Sequence, residues 1–233
     1  MRVLAIGAHP DDLEILCGGT LAKFAQRGDK VFMAHLCNGN MGGKNIPPEE
    51  LIRIREEEAK KAGEIIGAEV LGGFFGDLDL YPDRNARIQV IDLIRKVKPD
   101  LIITHSLDDY MPDHVYTGKL VFDAAFTATL PNYRTEFPAH EKIVPIYFMD
   151  TLAGINFHPT DFVDITDTFQ IKKKMFLCHE SQYKWLSSHH KTSPTEMIEI
   201  MAKFRGLQCG VEYAEAFKRL EVWGRIFPHR YLP

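Results

Sequence analysis

The chain has 233 residues, enough for one large domain and at most a small second one. Hydrophobic residues make up 45% and charged residues 26%, which allows a sizeable core and is ordinary for a soluble enzyme. The net charge of −4 gives nucleic acid nothing to bind to, and no apolar run approaches the ~20 residues that span a bilayer.

The apolar run Val3-Leu4-Ala5-Ile6 reads as strand 1 of a parallel sheet, over residues 2–8. Because the chain runs straight into this strand, no signal peptide is expected. Gly18-Gly19-Thr20 opens a predicted helix over about 18–28, and residues 31–37 form strand 2. The Gly/Asn-rich stretch from Asn38 to Asn45 is a loop long enough to wrap a ligand. Pro47-Pro48 then open a charged helix to about Ile66, with Leu51, Ile54, Ala59, Ala62, Ile65 and Ile66 at roughly helical spacing. Strand 3 lies near 69–75 and leads to the acidic loop Gly76-Asp77-Leu78-Asp79. A helix over 84–97 and strand 4 over 100–105 follow. This alternation predicts an α/β fold with a Rossmann-like, doubly wound, mostly parallel sheet and helices on both faces. Beyond residue 130 it weakens, leaving a fifth strand at 144–149, a short edge strand at 162–165 and helices near 167–180 and 194–206. No linker is visible, so residues 1–233 are read as a single domain. Cys17, Cys37, Cys178 and Cys209 are scattered without a Cys-x-x-Cys pair, which points to reduced thiols and a cytoplasmic protein.

The stretch after strand 1 carries the chemistry. A parallel sheet opens its ligand crevice just beyond the carboxyl ends of its strands. A nucleotide-binding domain would set Gly-x-Gly-x-x-Gly there. This chain sets an imidazole and two adjacent carboxylates, groups that bind a divalent cation and move a proton. A catalytic zinc site needs three His or carboxylate ligands and an open position. His9 and Asp12, three residues apart, can reach one ion. Strand 4 lies beside strand 1 at the switch point of the doubly wound order, which brings His114 towards them, with His105 as the rival third ligand. Asp11 is then placed to take a proton from water activated by the metal and to return one to a departing amine. Either motif alone could be a capped turn or an N-cap pair. Both together, after the two strands that flank the switch point, favour a metal site.

With these residues the chain resembles the LmbE-like, or PIG-L, family of metal-dependent N-acetylglucosamine deacetylases. Residues 8–14 match its Ala-His-Pro-Asp-Asp-x-Glu signature without substitution, and residues 111–114 resemble its His-Pro-Asp-His element. Weaker matches are Arg55-Glu56-Glu57-Glu58, the loop ending at Asp79, His179-Glu180-Ser181-Gln182 and Tyr213-Ala214-Glu215-Ala216-Phe217. The resemblance implies His9, Asp12 and His114 as ligands to one divalent ion, Zn2+ by default, and Asp11 as general base. It further implies that Asp113 supports the second motif as part of the catalytic group, and that Arg55 and Asp79 hold the sugar. The implied reaction is hydrolysis of the acetamide of an N-acetylglucosaminyl conjugate, a small-molecule partner, in a protein that can form a homo-oligomer. Met111 departs from the pattern: it stands where many members have a histidine thought to stabilise the oxyanion, and a thioether donates no hydrogen bond. Either the metal acts alone or Tyr110 or His105 takes that part.

Other readings stay open at the level of sequence. Arg55 could equally lie on a solvated salt-bridge face, and Asp79 could merely order its turn. Glu14 is read as capping or orienting the first motif, His179 as a core histidine, and His189-His190 as surface residues of a polar loop. Another amide or ester could be the substrate, and a metal-containing sugar-binding protein with little catalysis is the rival of another class.

Overall fold

The computed structural model describes residues 1–189 and 193–233. In chain order the elements are β1 (Arg2–Gly7), α1 (Asp12–Gln26), β2 (Lys30–Cys37), α2 (Pro48–Glu64), β3 (Glu69–Phe75), α3 (Arg84–Val97) and β4 (Leu101–Thr104). They continue with α4 (Pro112–Thr127), β5 (Ile146–Met149), β6 (Asp161–Asp164), α5 (Phe169–Leu177), α6 (Glu180–His189), α7 (Pro194–Cys209) and β7 (Ala214–Arg219). The strands form one sheet in the order β3-β2-β1-β4-β5-β7-β6. The first five run parallel, and β7 pairs antiparallel with both β5 and β6. The α/β, mostly parallel architecture expected from the alternation is therefore present, with β1 and β4 adjacent.

Strand alternation sorts the core onto the two faces. Leu4, Ile6, Phe32, Ala34, Leu36 and Ile102 pack with α3 and α4, while Val3, Ala5, Val31, Met33, Leu101 and Ile103 pack with α1, α5 and α7. A period of two sends successive residues to opposite sides, and a sheet covered on both faces needs apolar residues at every position. That is why these strands read as continuous apolar runs.

Three elements differ from the sequence reading. The first helix begins at Asp12, six residues before the predicted start. Gly18-Gly19 do not open it but lie inside it, for a packing reason. A Cβ on Gly19 would come within 2.9 Å of Ile165, and the amides of Gly19 and Thr20 turn to the Glu215 carboxylate at 2.9 and 2.7 Å. The sequence predicts no strand where β7 lies, since Ala214-Glu215-Ala216-Phe217 is too short and too mixed to announce a buried strand. His189, expected with His190 in a polar loop, closes α6 instead, and His190 lies outside the described residues.

Candidate active site

The crevice lies where β1 and β4 end side by side. Chain reversal after Gly7 sends residues 8–11 over the sheet edge, and α1 starts at once. Asp11 holds the N-cap position with φ 128° and ψ −26°, a backbone conformation that a non-glycine residue occupies only under constraint. Its side chain caps nothing and instead meets the Arg55 guanidinium, with Nη2 3.3 Å from Oδ1. Asp12, one residue on, accepts the His9 amide at 2.6 Å.

After β4, the chain passes through His105 and enters α4 with Met111 at the N-cap, Pro112 at N1, and Asp113 and His114 in the first turn. Proline preorganises this start. His114 thereby comes to face Asp12 across about a hundred residues of sequence, with Nε2 3.4 Å from Oδ1. His9 Nδ1 lies 3.4 Å from Asp12 Oδ2, and one ligand atom each from His9, Asp12 and His114 fall within 4.8 Å of one another.

The nitrogens turned away from Asp12 identify how the imidazoles are held. His9 Nε2 is 3.1 Å from Asp113 Oδ2, and His114 Nδ1 is 3.0 Å from Asp109 Oδ1. A carboxylate behind each ring fixes its tautomer and aims the other nitrogen forward, the usual support of a metal-binding histidine. Asp113 therefore sits behind His9, and its Oδ2 also takes the Leu78 amide at 2.9 Å. Asp109, not singled out in the sequence, does for His114 what Asp113 does for His9. Among the described residues two further groupings, His9-Cys37-Asp77 and His105-Asp109-His114, share these same imidazoles.

The electrostatics of the cluster favour positive charge. Burial opposes protonation of His9, yet bonds to Asp113 and Asp12 lift it to about 9. Burial likewise opposes protonation of His114, and the Asp12 charge and the Asp109 bond raise it to about 10. Asp12 is held well below the ordinary carboxylate range by His114 and His105, against the effect of its burial. A cluster that pulls protons onto two imidazoles is one in which a dication fits. Asp11 goes the other way: burial pushes it up to about 6, with Arg55 opposing and Asp12 adding to the rise. A carboxyl poised near neutrality suits proton transfer.

His105, the rival ligand, occupies a different place. Its ring stacks on His114 with centroids 4.0 Å apart, and Nε2 sits 3.0 Å from Asp12 Oδ2 and 3.0 Å from the Ala8 amide nitrogen. It is wholly buried and orients Asp12 from behind. Tyr110 is the more open of the two groups considered in place of a histidine at 111. Its ring edge meets His114 at 5.6 Å and it is 69% exposed.

Arg55 is 2% exposed, which removes the solvated-face reading. On α2 the buried face is Leu51, Arg55, Glu58, Ala59, Ala62 and Gly63, so two charges lie among the apolar positions while Ile65 is exposed. Arg55 reaches Asp11, the Pro10 carbonyl and, at 3.2 Å, the Gly39 carbonyl. Gly39 has φ 80°, and a Cβ there would come within 2.5 Å of the guanidinium, so only glycine lets Arg55 pass beneath the loop. Glu58 receives the Ser181 amide and hydroxyl at 2.8 and 2.6 Å, and Gln182 donates to the Gly42 carbonyl at 2.8 Å. His179-Glu180-Ser181-Gln182 thus docks on α2 and on the loop after β2. His179 is buried with Nε2 3.1 Å from Glu14 Oε1. Asp79 is on the exposed side of its loop, whereas Asp77 points inward and accepts the amides of Gly39 and Met41 at 2.8 and 3.1 Å. In the sequence Asp77 carries no signal beyond its place in an acidic loop at a strand end.

Known proteins resemble this chain in sequence and in fold. Residues 4–125 match the PIG-L family model, described as GlcNAc-PI de-N-acetylase. The chain is 29% identical to the diacetylchitobiose deacetylase of Thermococcus kodakarensis, over 93% of this chain and 82% of that protein. Its structure resembles the N,N'-diacetylchitobiose deacetylase of Pyrococcus horikoshii, with a TM-score of 0.83 and 26% identity over 94% and 83% of the two chains. It resembles to the same degree the 4-carboxy-2-hydroxymuconate hydratase of Pseudomonas putida, with a TM-score of 0.82 and 25% identity over 99% and 100%. The matched segment holds more than half of the chain and every residue of the His9-Asp12-His114 cluster, and the chain belongs to the PIG-L family.

Proposed function

We propose that this protein is a zinc-dependent N-deacetylase that hydrolyses the acetamide of an N-acetylglucosaminyl conjugate to a free amine and acetate. The observation that carries the reading is the pairing of a preorganised His9-Asp12-His114 cluster with Asp11, a constrained carboxyl beside it raised to about 6. When bound, a divalent cation would lower the pKa of water towards ~7 and polarise the amide carbonyl. His9, Asp12 and His114 would hold it, with two imidazoles and one carboxylate suiting zinc. Asp113 and Asp109 keep the two rings aimed, and His105 keeps Asp12 turned towards them. Asp11 accepts the proton of the attacking water as oxygen bonds to the carbonyl carbon. It then delivers that proton to nitrogen as the C–N bond breaks. Arg55 holds the Asp11 carboxylate in line, and Asp79, on the outer side of the loop, is free to meet sugar hydroxyls.

Family membership and the two diacetylchitobiose deacetylases support amide hydrolysis. The two cores run from Val3 to Leu232, which supports one domain over residues 1–233. No helix among the described residues is long and apolar enough to cross a membrane. The four cysteines are unpaired, which supports a reducing, cytoplasmic setting. The test is acetate release from N-acetylglucosamine, its β-glycosides and N,N'-diacetylchitobiose by zinc-loaded protein, with 4-carboxy-2-hydroxymuconate hydration assayed alongside. Acetate formation abolished by a chelator and restored by zinc is expected. Hydration without acetate release would replace the deacetylase reading with that of the other relative.

A further inference from the structure

Asp11 stands in a backbone conformation that a side chain tolerates only where its surroundings over-determine it, and its own carboxylate caps nothing. Three segments supply those surroundings. They are the first turn of α1, which carries Glu14, then Arg55 of α2, and the loop after β2, whose Gly39 carbonyl takes Arg55 Nη1 at 3.2 Å. One short stretch far along the chain, from His179 into the first turn of α6, touches all three. His179 Nε2 lies 3.1 Å from Glu14 Oε1. The Ser181 amide and hydroxyl bond the two oxygens of Glu58, one turn after Arg55 on the same buried face of α2. Gln182 donates from Nε2 to the Gly42 carbonyl at 2.8 Å. A Cβ at Gly42 would meet Arg55 Nη1 at 2.9 Å and the Gln182 side-chain amide at 3.0 Å, so both side chains crowd the same side of this residue.

These contacts are polar where packing alone would call for apolar groups. His179 is wholly buried and Gln182 nearly so. Apolar side chains would fill the same space without the cost of desolvating an imidazole and an amide. Bonded polar groups add direction, and a set of them fixes where separate backbones stand relative to one another. We propose that Gln182 is a positioning residue for the reaction, carried on a stretch that His179 and Ser181 anchor. Its bond to Gly42 holds the loop against Arg55, and Arg55 holds the Asp11 carboxylate where it can exchange a proton. A reacting group displaced by about 1 Å can lose about a hundredfold in rate. The part played in catalysis rests on the deacetylase reading above; the mechanical link from α6 to Arg55 does not.

Kinetics and hydrogen exchange on the zinc-loaded protein test the two parts separately. Gln182→Glu keeps the shape of the side chain but sets an acceptor against the Gly42 carbonyl, and Gln182→Ala removes the side chain altogether. Each is expected to lower kcat for acetate release from N,N'-diacetylchitobiose about 10–100-fold, with KM within about twofold. The amides of residues 38–45 should exchange faster in both variants, and those of α3 at the unaltered rate. Arg55→Gln combined with Gln182→Ala should be no slower than Arg55→Gln alone, because the second change acts through a side chain already gone. Full activity in Gln182→Glu, a raised KM at unchanged kcat, or losses that multiply in the double variant would each overturn the proposal. So would faster exchange throughout the chain, which would make Gln182 a general stabiliser. If the unaltered protein releases no acetate from any substrate, the deacetylase reading fails and exchange alone judges the link. Protection lost at 38–45 in both variants would then uphold it, and unchanged protection would refute it.

Discussion

Asp11 and Asp12 are neighbours with opposite environments. Asp12 faces three imidazoles and stays ionised, whereas Asp11 is buried against a single guanidinium and a like charge. Two carboxyls separated in this way can divide the labour of holding a cation and moving a proton. Asp11→Asn is expected to bind zinc with the wild-type stoichiometry, measured by elemental analysis, and to lose about a thousandfold in turnover, the range of a general base. The carboxylates behind the rings have the reverse signature. Asp113→Asn and Asp109→Asn should each weaken zinc binding about 10–100-fold in competition with a chromophoric chelator, with activity recovering at saturating zinc. Activity lost at unchanged zinc affinity would assign these residues to the reaction itself. Asp113 was legible in sequence through its motif. Asp109 was not, because five residues before His114 it reaches the ring only through the loop that precedes α4.

At the scale of elements, α1 carries Asp12 and Glu14, and the end of the chain anchors it. Glu215 on β7 takes the Gly19 and Thr20 amides and is itself matched by Lys172 of α5 at 2.5 Å, with both side chains buried. Glu215→Gln would leave an unmatched buried ammonium, and a loss of about 3 kcal/mol in denaturant unfolding is expected. Lys172→Met added to it should return part of that stability, whereas additive losses would mean that the two charges do not act as a pair. The element pattern explains which parts of the sequence misled. Helix α3 has a strong apolar stripe, and its predicted bounds, 84–97, are the observed ones, with one buried charge, Arg95, bonded to the carbonyls of Ala128, Leu130 and Phe137. Helix α2 has the same periodicity, but its buried face includes Arg55 and Glu58, whose partners lie in other elements and leave no trace in local composition. Glycines at 18 and 19 look like a helix boundary until the packing of Ile165 and the reach of Glu215 are known.

Across the whole molecule, a cation at the edge of β1 and β4 would join segments separated by about a hundred residues, so its binding energy adds to that of the folded state. Removing it with a chelator should lower the melting temperature, by several degrees if zinc saturates about a hundredfold above its dissociation constant. Far-UV circular dichroism should be unchanged at 25 °C, because the two cores close the sheet without the site. Loss of helical signal on chelation would show instead that the centre is a folding element. The sequence by itself determined what is local or periodic: the strand–helix alternation, the residue types of the metal motif and the adjacency of β1 and β4 that follows from doubly wound topology. The tertiary structure alone decided which nitrogen of each imidazole faces Asp12, that His105 stands behind Asp12, that Arg55 turns inward to Asp11, and that β7 enters the sheet antiparallel. Each of these depends on partners brought together from distant stretches, and burial and hydrogen bonding act on distance in space, which spacing along a chain does not encode.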